Sequence, residues 1–104
     1  MSETVLLLAR LFIHPGRERE FREFETAAAR IMARYGGRIE RVIRPLSATP
    51  EDPLPHEIHL VSFPSQEQFD AYRADAELAG LAALRQTAIV RTELVIGGEG
   101  EAYG

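Results

Sequence analysis

The chain has 104 residues, room for one domain around a small core. Its formal charge of −4 is opposite in sign to the basic face that normally meets nucleic acid. Having no cysteine, it has no disulfide framework, thiolate zinc site or cysteine nucleophile; 45% hydrophobic and 27% charged residues are ordinary globular values.

Residues 4–13, TVLLLARLFI, form a nearly continuous β-type run, which predicts a strand buried on both sides. The run from Val5 to Ile13 is too short to cross a bilayer and is interrupted by Arg10. Nothing after it resembles a small-residue cleavage site, so the expectation is a soluble, cytoplasmic protein with no signal peptide. His14-Pro15-Gly16 breaks the strand. From Arg17 to Tyr35 the period becomes helical: Phe21, Phe24, Ala28, Ile31 and Tyr35 form one stripe, opposite Arg19, Glu20, Glu23 and Arg30. Gly36-Gly37 supplies the left-handed residue that ends such a helix.

Residues 38–44, RIERVIR, alternate as a strand near a sheet edge would. The stretch 45–55 holds four of the six prolines and predicts a long, stiff loop. Residues 56–63 predict the third strand, stopped by Pro64. Ser65 and Gln68 form the S-x-x-Q capping box of a second helix. Phe69 and Tyr72 begin its stripe, Asp75 can re-cap it, and Leu78, Leu81 and Leu84 continue the packing. Residues 87–96, TAIVRTELVI, predict the fourth strand. The division expected is one domain over 1–96 and a flexible tail over 97–104.

The order β-α-β-β-α-β is the ferredoxin-like α+β arrangement: a four-stranded antiparallel sheet with both helices on one face. The first and third strands lie at its centre. Alternation assigns Val5, Leu7, Ala9, Leu11 and Ile13 of the first strand to the helices. In the fourth strand it assigns Ala88, Val90, Thr92, Leu94 and Ile96 to them, and in the third Ile58 and Leu60. The other face then carries Leu6, Leu8, Phe12, Val61, Phe63 and Ile89 around a charged middle of Arg10, Arg91, Glu93 and His59. A face so apolar is expected to pair with its copy as a homodimer enclosing a small cavity.

The order of elements, Phe24, Tyr35-Gly36-Gly37-Arg38, and Phe63-Pro64-Ser65 followed by Phe69, Tyr72, Leu81 and Arg85 resemble the dimeric α/β-barrel superfamily. They are most similar to its small bacterial members of unknown function with a Phe-Pro-Ser signature. The resemblance spans about residues 4–96 and implies a homodimeric α/β barrel. That superfamily includes cofactor-free monooxygenases, haem-degrading enzymes, lactone isomerases and dye-type peroxidases, alongside proteins with no known activity. Its cofactor-free monooxygenases often carry a histidine in the second helical segment, and this chain has none there. That departure sets it apart from their chemistry and from haem ligation by that helix.

The candidate site residues follow from charge on an apolar face. His56 and His59, three apart on a strand, point to opposite faces, so no metal site is expected from them. His59, mid-strand, is the acid/base candidate; the alternative is a buried histidine satisfied by Glu57, Glu93 or an arginine. Arg10 and Arg91 are candidate holders of a carboxylate or enolate, with Glu93 beside them; the alternative is an Arg-Glu network that sets dimer register. His14 lies near backbone N–H groups where an anion could sit. From the resemblance come Tyr72, at the mouth of a pocket, and Arg85, which also suits a helix C-terminus. No cofactor is implied. Two readings stand open: a cofactor-independent, monooxygenase- or isomerase-like enzyme acting on a small acidic or phenolic compound in the barrel cavity between the paired sheets, and a non-catalytic ligand-binding or stress-related homodimeric module using the same cavity.

Overall fold

In the computed structural model, which describes residues 3–46 and 54–104, the order is β1 (Val5–Ile13), α1 (Glu18–Ala33), β2 (Arg38–Ile43), β3 (Glu57–Phe63), α2 (Gln66–Arg73), α3 (Ala76–Ala79), α4 (Ala82–Ala88) and β4 (Ile89–Gly97). Most of the proline-rich stretch at 45–55 lies outside the described residues. The four strands form one antiparallel sheet in the order β2-β3-β1-β4, which is the ferredoxin-like fold. No helix among the described residues is long and apolar enough to cross a membrane.

The α1 stripe behaves as its period dictates: Phe21, Phe24, Ala28, Ile31 and Met32 are buried against the sheet. Gly36, at φ +74°, then turns the chain. At Gly37 a Cβ would overlap Met32 Cγ and the Phe63 ring, so this glycine lets β2 pass tightly under the helix end. The second helical segment is three short helices instead of one. Asp75 does re-cap the chain, its Oδ1 accepting from the backbone N–H of Glu77 and Leu78. Leu78, Leu81 and Leu84 pack against one half of the core.

The sheet register corrects two face assignments, because residues directly opposite in an antiparallel ladder share a face. Val5 lies opposite Phe63, Leu7 opposite Val61, Ala9 opposite His59 and Leu11 opposite Glu57. Glu57, His59, Val61 and Phe63 therefore lie under the helices, where all four are buried, and Ile58 and Leu60 belong to the bare face. Phe63 decides the phase: its ring packs on Phe69 and Tyr72 at centroid distances of 5.2 and 5.4 Å. In β4 the register shifts between Phe12 and Ile13, placing Ile89 inside at 5% exposure and Val90 outside at 52%. Thr87 and Ala88 end α4 instead of opening the strand, with the Thr87 hydroxyl donating to the Ala83 carbonyl.

Candidate functional site

Between the helices and the sheet lies a partly open cavity of about 440 Å³, a size that suits a small molecule. Its walls are mainly apolar, with contributions from Leu7, Phe24, Val61 and Leu94. Into this space the fold brings Glu25 from α1, His59 from β3, Tyr72 from α2, Arg85 from α4 and Thr92 from β4. Arg85 Nη2 donates to Thr92 Oγ1 at 3.1 Å, and among the described residues no ion pair ties its guanidinium to a carboxylate. Tyr72 is half-buried; burial, then the neighbouring Glu25 carboxylate, push its phenol up to about 12. Its hydroxyl is therefore a neutral donor at any ordinary pH.

Behind the cavity the polar groups form a chain. Arg44 Nε donates to Glu57 Oε2 at 3.0 Å, Glu57 Oε1 lies 2.8 Å from His59 Nε2, and His59 Nδ1 lies 3.6 Å from Glu25 Oε2. Burial works to raise the Glu57 pKa, but the hydrogen bonds and charges of His59 and Arg44 outweigh it and hold the carboxyl below the usual carboxylate range. An ionised Glu57 can only accept, so His59 Nε2 carries a proton and donates it. His59 Nδ1 faces Glu25 Oε2 across a gap longer than a hydrogen bond. For Glu25, burial dominates and raises its pKa, with the charge of His59 pulling it back.

The residues singled out by sequence divide between two faces. His59, Tyr72 and Arg85 meet in the cavity. Arg10, Arg91 and Glu93 lie on the other side of the sheet, so the expected grouping of His59 with these charges does not form; the reversed face of β3 is the reason. There Arg10 Nη1 donates to Glu93 Oε1 at 2.8 Å and Arg91 Nε to Glu93 Oε2 at 3.3 Å. The Arg91 guanidinium lies 3.8 Å from the Phe12 ring centroid. His14 is exposed at the end of β1, its backbone N–H donating to the Ala88 carbonyl, away from the cavity. His56 stands just before β3 with its ring edge-on to Phe21 at 5.2 Å. Among the described residues no three His, Asp or Glu side chains group as metal ligands. Sequence reasoning missed Glu25 altogether. The available signal was its spacing, four residues after Phe21 and three before Ala28, which places it beside the buried stripe.

Residues 5–98 match the profile of a domain of unknown function, DUF1330. The chain belongs to the DUF1330 family. No curated protein matches it in sequence. Among solved structures, a protein of unknown function from Rhodopseudomonas palustris superposes with a TM-score of 0.82 at 13% identity, covering 98% of this chain and 86% of that one. SnoaB, a cofactor-independent oxygenase from Streptomyces nogalater, superposes at 0.70 with 17% identity, covering 96% of each chain. A DABB-family protein with a ferredoxin-like fold from Mesorhizobium loti gives 0.66 at 13% identity, over 94% of this chain and 98% of that one. At such identities the likeness to these structures is one of fold. This DUF1330 chain shares the ferredoxin-like architecture of cofactor-independent, monooxygenase-like proteins.

Proposed function

We propose that the chain binds a small acidic or phenolic molecule in the cavity between helices and sheet, and acts on it without a cofactor by moving a proton. The observation that carries this reading is Arg85. A guanidinium at an apolar cavity, bonded among the described residues only to a neutral hydroxyl, is suited to a carboxylate, enolate or phenolate. In the same cavity Tyr72 offers a neutral donor, and Glu25 beside His59 offers a place for a proton leaving the ligand. A proton returned to a different atom completes an isomerase-like reaction. The cofactor-independent oxygenase SnoaB supports the wider class, since this fold hosts such chemistry there.

A second reading, binding without turnover, is favoured by one feature. No buried side-chain nitrogen or oxygen among the described residues lacks a partner, as expected of a scaffold at rest. Thermal-shift screening with aromatic acids, short-chain keto acids and phenols tests binding under either reading. Acidic compounds are expected to raise the melting temperature of the wild type, and Arg85→Met is expected to abolish that rise. A shift that survives in Arg85→Met would remove the basis of the proposal.

We propose in addition that the bare sheet face pairs with a second copy of the chain. Leu6, Leu8, Phe12, Ile58 and Leu60 share that face with the Arg10–Glu93–Arg91 network. The network places both signs of charge beside the apolar residues, which suits a self-complementary interface that fixes register.

A further inference from the structure

Glu25 borders two different spaces. One is the apolar cavity. The other is a more open groove of about 560 Å³ between α1 and β2, bordered by Arg22, Thr26, Val42, Arg44 and Glu57. Glu25 is the one described residue that lines both. Its only ion-pair partner among the described residues is His59, at 3.6 Å, and His59 is anchored from behind by Glu57 and Arg44. We infer that Glu25 is the group that takes the proton from the bound ligand, and that the groove between α1 and β2 is where this proton exchanges with water.

The inference rests on the reading of the cavity given above, and it names the base and the exit of that site. The step balances without any co-reactant. An acidic C–H or O–H bond of the ligand breaks, its electron pair stays on the ligand as an anion facing Arg85, and the Glu25 carboxylate becomes a carboxyl. The new carboxyl stays beside His59 Nδ1 and borders the groove. Release runs from Glu25 into the groove. The charged and titratable groups near the pair are Glu57 with its partner Arg44, Tyr72, Arg85 and Arg73 at the cavity, and Arg22 at the groove. A carboxylate half-withdrawn from water has the basicity this task needs, and burial acts on Glu25 in that direction.

The test uses phenylpyruvate, an aromatic acid with an exchangeable methylene, incubated with the intact chain in heavy water. Proton NMR follows loss of the methylene signal, and thermal shift follows binding. Wild type is expected to shift and to accelerate exchange. Glu25→Gln is expected to keep the shift while exchange falls about 100-fold, the scale of a lost general base. Thr26→Trp, which fills the groove from its rim, is expected to slow exchange with binding unchanged. Equal exchange in wild type and Glu25→Gln, or binding by wild type with no acceleration, overturns Glu25 as the base. Unaltered exchange in Thr26→Trp overturns the groove as the route. If wild type shows no shift at all, the reading of the cavity falls, and this inference falls with it.

Discussion

Glu25 sits where a carboxylate is expensive, on the buried side of α1 with one histidine for company. Burial raises its folded pKa above the ordinary 4.5. Between those two values the folded chain holds a proton that the unfolded chain has released. Stability therefore falls as pH rises through this window and stays lowered above it. Glu25→Gln removes the loss. The variant is expected to melt higher than wild type near pH ~8 and equally near pH ~4, as read by a pH series of melting curves. A variant that melts lower at both ends would make the carboxylate a structural element. On the other face, Arg10 and Glu93 are 37% and 42% exposed in their side chains. A pair that open contributes about 0–1 kcal/mol to a single chain, so its worth has to be sought in assembly.

The elements of this chain are short and rely on their ends. α2, α3 and α4 have 8, 4 and 7 residues, below the length at which a helix holds alone in water. Ser65 caps the first of them, accepting from the Gln68 N–H at 3.2 Å. Asp75 caps the second and also accepts from the Tyr35 hydroxyl, with Arg34 bonded to Glu77 beside it. This fastens the end of α1 to α3. The handover to β2 depends on Gly37, where a methyl would strike Met32 and Phe63. Gly37→Ala is expected to lower stability by roughly 1–3 kcal/mol, measured by urea denaturation, since neither the helix end nor the Phe63 ring has room to retreat. An unchanged midpoint would show that the turn can relax. These caps and glycines were legible in the sequence because each is a local device with its own residue type. The split of the second helix into three was legible only at Asp75.

At the scale of the molecule, the sheet has one covered face and one bare face. Leu8 is 36% exposed and Val95 64% exposed on the bare one. A stable interface covers about 800 Å² per partner, within the reach of one side of a four-stranded sheet. Size-exclusion chromatography with light scattering at low micromolar concentration is expected to give a dimer. The double variant Leu8→Asp and Val95→Asp is expected to give a folded monomer, because charge would then face its own copy. A wild-type monomer under these conditions would sink the pairing. Dilution is likewise expected to release the apolar face, read as increased binding of a hydrophobic dye.

The sequence by itself determined the βαββαβ order, the α1 stripe, the capping serine and the glycine turn, since these depend on period and on neighbours along the chain. It also brought out His59, as a polar residue in an apolar strand, while Tyr72 and Arg85 came from the family resemblance. Tertiary structure alone decided which face of β3 looks inward. Alternation has two phases, and Ile58-Leu60 and Val61-Phe63 are comparably apolar, so local pattern could not choose between them. Register with β1, together with the Phe63–Phe69–Tyr72 packing, made the choice. That choice moved His59 away from Arg10 and Arg91 and into the company of Glu25. The candidate site exists because side chains from five separate elements converge beneath one face of the sheet.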